Sequence, residues 1–142
     1  MSIVSPEQIA FVMALTSRPT SFAELDDQVR SGLPKSALRA SVEHVTRTVE
    51  ERRILLFRIV PEATFKRRRD RLSPDESEKT ERLARIFATA LYVWDSETDA
   101  REFLNTSHPL MEGRTPLDVS MTELGARRVE ELLWKLFYGI PA

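Results

Sequence analysis

Residues 66–71 read Lys-Arg-Arg-Arg-Asp-Arg, five cationic side chains and one carboxylate in six positions. Clustered Lys and Arg displace counterions from a polyanion, so the run is a candidate for contact with nucleic-acid phosphates. A solvated helix face has the same composition, and the context has to decide. The run follows the apolar stretch 54–60, Ile-Leu-Leu-Phe-Arg-Ile-Val, and a turn at Val60-Pro61. Helix, short turn and basic helix is the layout of a helix-turn-helix, whose second helix enters the DNA major groove. On that reading Thr64 and Lys66 lie near the start of the groove-facing helix. Arg67, Arg68, Arg69 and Arg71 complete the DNA-facing set, and arginine also reads guanine bidentately.

Other chemistry has little to work with. Cysteine is absent and His44 and His108 are the only histidines. A tetrahedral metal site would therefore need carboxylates at most positions, and no metal is expected. The four glycines are isolated and form no phosphate loop. No Ser, His and Asp spacing suggests a nucleophile with its base. The chain is thus expected to be no enzyme and to carry no cofactor. The acidic cluster Asp75-Glu76-Ser77-Glu78 sits at a helix start, where the helix dipole accounts for it. Glu130-Glu131 is assigned to the solvent side of the last helix.

The elements that position these residues read as helices throughout. Ser5-Pro6-Glu7-Gln8, Ser21 to Glu24, Ser73 to Glu76 and Ser120 to Glu123 have the form of helix starts. Ser96 caps a further helix, and Thr115-Pro116 suits a single turn. Leu38, Val42, Val45 and Val49 form one helical stripe after Pro34. Leu83, Ile86, Phe87, Ala90, Leu91 and Trp94 mark a long apolar face. Leu124, Val129, Leu132, Leu133, Leu136 and Phe137 mark another, which Gly139 ends. The apolar run 54–60 fits strand or helix by pattern; with no second strand to pair with, helix is favoured. Trp94 and Trp134 late in apolar helices suit core packing first and a partner surface second.

At 142 residues one domain is the default and two small ones are possible. No apolar run is long enough to span a membrane, and the N-terminus lacks the pattern of a secretory signal. With the absence of cysteine this points to the cytoplasm. Residues 1–71 carry 13 Lys/Arg against 9 Asp/Glu, and residues 72–142 carry 8 against 13, balances of +4 and −5. The two halves are expected to meet different partners, with their join near Arg71–Ser73.

The second half carries a motif set. Gly113-Arg114-Thr115-Pro116-Leu117-Asp118, then Glu123-Leu124-Gly125-Ala126, then Tyr138-Gly139, resemble the end of the Xre/MbcA/ParS toxin-binding domain. The likeness covers residues 72–142 closely and extends weakly to 20–71, which look like an Xre-type helix-turn-helix half. It implies an all-α chain. Residues 1–71 form an N-terminal helix-turn-helix-like DNA-binding and dimerisation domain, and 72–142 a small C-terminal toxin-binding bundle. It further implies an antitoxin of a type II pair whose partner is a RES-domain toxin acting on NAD. Such antitoxins block the toxin's active-site entrance, and the complex represses its own operon by binding the operator. One position departs: the family commonly places Gly just before the Val-Pro of the turn, where this chain has Ile59. A β-branched residue suits positive φ poorly, so the turn is expected to differ or to be wider.

Under this resemblance the chain end gains a role. Tyr138, Gly139, Ile140, Pro141 and Ala142 carry no side-chain charge, and such a segment enters a concave apolar cleft. Pro141 limits the conformations lost on docking. Arg114 is a candidate anchor for a toxin carboxylate. Thr115 and Pro116 suit both a rigid turn and a contact surface. With Trp134, these residues make up the expected toxin-facing set. A homodimer is expected because helix-turn-helix proteins read two half-sites. The alternative is a repressor or scaffold whose second half only dimerises.

Overall fold

The computed structural model describes residues 3–139. Among them the chain forms nine α-helices and one 3-10 turn, and the sole β pairing is an isolated antiparallel bridge between Pro34 and Arg71. The helices are α1 (Pro6–Val12), α2 (Phe22–Ser31), α3 (Lys35–Val45), α4 (Val49–Ile59), α5 (Glu62–Arg67), α6 (Pro74–Trp94), α7 (Glu97–Leu104), α8 (Pro116–Val119) and α9 (Glu123–Phe137). The 3-10 turn, Pro109–Met111, lies between α7 and α8. The expected all-α architecture is what forms, a helix-turn-helix-like region followed by a C-terminal helical region, and the run 54–60 is helical up to Ile59.

Local chemistry sets most helix starts. Ser5 and Ser73 close capping boxes with Gln8 and Glu76, and Ser96 caps α7. Ser21 accepts from the Glu24 N–H, but Glu24 bonds Thr20 instead of completing the box. The box expected at Ser120 does not form. That residue ends α8 and its hydroxyl donates to the Leu117 carbonyl, while Thr122 caps α9.

The long α6 is the axis of the fold. From Leu83 to Ala90 it is apolar on almost every side, and α1, α2, α3, α4, α7 and α9 pack around it. Leu38, Val42 and Val45 of α3 and Val129, Leu132 and Leu133 of α9 join one continuous core with it. Of the residues expected on buried faces, Leu136 and Phe137 near the end of α9 are exposed, and four others lie outside the core. Val49 is 75% exposed because α3 stops at Val45 and Val49 opens α4, while Leu124 in the first turn of α9 is 71% exposed. Trp94 and Trp134, at 41% and 38%, are half-exposed rather than core.

The turn between α4 and α5 is short, only Val60 and Pro61. Val60 is extended at φ −130° and Ile59 is not among the residues at positive φ. It does differ from a glycine turn, as expected, but it is not wider. Buried Ile59 and Val60 fix it to the core in place of a left-handed residue.

Candidate functional site

The basic segment divides by what its side chains touch. The ring of Phe65, the buried residue of α5, has Phe57 edge-on at 6.3 Å, Lys35 Nζ 4.3 Å from its centroid and the Arg39 guanidinium at 4.9 Å. These contacts hold α5 against α3 and α4. Beyond α5 the loop is tied down. Arg68 makes a two-pronged pair with Glu76 (3.1 and 3.2 Å), and Lys35 Nζ donates to the Arg68 carbonyl. Arg71 donates to the Gly32 carbonyl at 2.6 Å, and the Leu72 N–H donates to Leu33 O. Glu76 also accepts the Ser73 N–H; burial pushes its carboxyl up, but that bond and Arg68 outweigh burial and hold it below the usual range.

Arg68, half-buried, and Arg71, exposed, therefore each spend their guanidinium on a contact within the molecule. Lys66 is exposed and pairs with Glu62 one turn back (2.9 Å). Arg67 and Arg69 are exposed with no charged partner among the described residues, and Thr64 is half-buried on α5. Sequence reasoning missed Lys35 and Arg39, which join this surface from α3. Their spacing of four on one helix was the available signal.

The loop before α8 is equally constrained. Gly113 is left-handed at φ +76°, and the Arg114 carbonyl accepts from the His108 N–H. Arg128 of α9 reaches the Leu110 carbonyl and the Glu112 carboxylate. Thr115 caps α8 and Pro116, its first residue, is buried. Asp118 sits between two arginines, Arg114 of the loop and Arg58 of α4, each at 2.8 Å. Their hydrogen bonds, Arg58 first, hold its carboxyl below the usual range. Gly125 follows from close packing: a Cβ there would lie 1.7 Å from the Val119 carbonyl oxygen, so α9 crosses the end of α8 only with glycine.

At the far end of α9 lies a chain of exposed aromatic rings. Trp134 lies tilted against Tyr138 at 4.5 Å, Tyr138 and Phe137 meet edge to face at 5.0 Å, and Phe137 lies tilted against Tyr92 of α6 at 5.1 Å. Each is more than a third exposed. Contiguous exposed apolar surface of this kind marks interaction sites. Tyr92 and Phe137 were not in the expected set. Gly139, left-handed at φ +67°, donates its N–H to Leu136 O and ends the helix as anticipated. Ile140, Pro141 and Ala142 lie outside the described residues.

Glu130 is not on the solvent side as expected. It turns towards α6, where it meets Arg85 at 3.3 Å beside Glu81 and Glu123, while Glu131 is exposed beside Lys135. Burial pushes Glu81 and Glu130 up despite Arg85.

Two family models match this chain. Residues 24–85 match the Antitoxin Xre-like helix-turn-helix domain, and residues 89–139 the Antitoxin Xre/MbcA/ParS C-terminal toxin-binding domain. The first segment contains α4, the turn and α5, and the two segments meet within α6. The chain is also similar to a protein named Antitoxin Xre from Pseudomonas putida, 33% identical over 84 residues, 57% of this chain and 53% of that protein. The chain thus spans about half the length of the curated relative it matches.

Proposed function

The chain belongs to the Xre/MbcA/ParS antitoxin family, an Xre-like helix-turn-helix domain joined to that family's toxin-binding domain, and on that premise we propose that it neutralises a RES-domain, NAD-consuming toxin by steric block. The aromatic cluster at the end of α9 carries the reading. Trp134, Phe137, Tyr138 and Tyr92 expose ring faces next to the point where the chain runs on into Ile140-Pro141-Ala142. Exposed aromatics followed in sequence by residues without side-chain charge suit an apolar substrate cleft, and large rings bind at low entropic cost. The capped α8, the Asp118 bridge and the Gly125 crossing make this end rigid before it binds, which favours affinity. Arg114 meets Asp118 through Nε and Nη2, which leaves Nη1 to take a toxin carboxylate as well.

The same protein is proposed to repress its own operon as a homodimer in the cytoplasm. Residues 1–71 face DNA, through Arg67, Arg69 and Lys66, and residues 72–142 face the toxin. Arg68 and Arg71 shape the loop that presents the others.

The test is truncation. A chain lacking residues 138–142 is expected to fold with unchanged helicity but to lose protection of cells expressing a RES-domain toxin, read as collapse of cellular NAD. Full protection by the truncated chain would sink the steric model.

A further inference from the structure

Resting on the toxin-binding reading above, we propose that the cleft between the end of α6, α7 and the 3-10 turn receives an arginine side chain of the toxin. The cleft is about 260 Å³ and has aromatic walls and an acidic rim. The rings of Trp94 and Phe103 lie 5.8 Å apart, and His108 stands edge-on to Phe103 at 6.4 Å. Asp99 and Glu102 line the same cleft. At a spacing of three on α7 they share one side of the helix.

The local geometry builds this cleft. Asp95 ends α6 in the left-handed conformation at φ +53°, so that α7 doubles back and Phe103 meets Trp94. His108 accepts the Leu110 N–H at Nδ1, which fixes its ring as one wall of the cleft. The His108 N–H donates to the Arg114 carbonyl, making the wall and the Arg114 loop one piece. A partner that touches Arg114 therefore reaches the cleft.

Charge specifies the occupant. Glu81, Glu97, Glu112, Asp118, Glu123 and Glu130 all hold cations. Among the described residues Asp99 makes no ion pair, and Glu102, which feels the Arg47 charge only from beyond ion-pair distance, accepts from the Thr106 hydroxyl at 3.4 Å. Two carboxylates that close no ion pair, beside exposed ring faces, favour a cation. A guanidinium satisfies both features, since its plane stacks on rings while its edge donates to carboxylates. Trp94, 41% exposed, leaves the outer side open for it.

The two tryptophans, Trp94 and Trp134, make a direct test, because each indole N–H gives its own resonance. Titrating the intact chain with N-acetyl-arginine methylamide is expected to shift the Trp94 signal, and the neutral citrulline analogue to leave it in place. In Asp99→Asn/Glu102→Gln the arginine response falls at least about threefold. Equal responses to both probes, or an unchanged response in that variant, would overturn the proposal. Against a RES-domain toxin, Trp94→Leu and Asp99→Asn/Glu102→Gln each weaken binding about tenfold or more. Tight wild-type binding that neither variant alters rejects the cleft. Failure of the wild-type chain to bind, with the arginine response intact, rejects the antitoxin reading instead.

Discussion

The basic segment after α5 and the loop before α8 look alike in sequence, arginines set beside a proline-marked turn, yet the fold uses them differently. In the first, the side chains divide the work: Arg68 and Arg71 hold the loop to Glu76 and Gly32, while Arg67 and Arg69 are exposed with no charged partner among the described residues. In the second, Arg114, Thr115 and Pro116 all serve the loop's own architecture. The larger exposed surface of that half lies instead on the rings at the end of α9. A motif therefore names a region of surface, and contacts from distant parts of the chain decide which of its members remain available.

The largest effect is expected where the second region is most tightly built. Gly125→Ala places a methyl group 1.7 Å from the Val119 carbonyl oxygen, so α9 must move off α8, at a cost of about 3 kcal/mol. Gly113→Ala meets nothing within 4 Å and bears only the left-handed penalty, about 1 kcal/mol. Denaturant unfolding of both variants checks the ranking. Equal costs would mean that the α8–α9 crossing is not rigid.

The first region is probed by splitting its arginines. Arg67→Ala/Arg69→Ala is expected to leave stability within about 0.5 kcal/mol and to lower the salt slope of operator binding by about 2, roughly 0.9 per lost phosphate contact. Arg68→Ala/Arg71→Ala is expected to do the reverse, destabilising by about 1–3 kcal/mol because Glu76 and the Gly32 carbonyl lose their donors. If the slope drops equally in both pairs, the division of labour is wrong.

Much of this was legible beforehand, for identifiable reasons. Helix starts at Ser5, Ser73 and Ser96, the stop at Gly139 and the single turn at Thr115-Pro116 depend on neighbours within about four residues. The Val49 error arose because Val45 to Val49 keeps helical spacing across a break that Thr46 makes by turning extended. Glu130 looked solvent-facing because its counter-ion, Arg85, lies 45 positions away on another helix. The Arg58–Asp118 pair and the Trp94–Phe103 cleft also depend on α6 bringing separate segments together. Resemblance identified the Gly125-Ala126 motif, but only the geometry explains its glycine.

The smallest expected effect separates two sets of carboxylates by pH. Glu76 and Asp118 have depressed folded pKa values, so their contribution is present above the unfolded carboxylate range and is lost as pH falls through the folded values. Glu81 and Glu130 are raised by burial, with Arg85, Arg82, Arg127 and Glu123 as their charged neighbours. Below those raised values the folded forms hold protons that the unfolded chain still releases, so acidification stabilises as pH falls through the folded values, and the gain is complete once the unfolded carboxylates protonate too. The melting temperature is therefore expected to rise as pH falls from neutrality towards the ordinary carboxylate range, then to fall below that range. Glu81→Gln/Glu130→Gln should remove the rise, and Glu76→Gln should flatten the fall. Comparing each variant with the wild type at every pH isolates the contribution of the substituted carboxylates. If Glu81→Gln/Glu130→Gln leaves the profile unchanged, those carboxylates are solvated and α9 does not seal against α6 at this point.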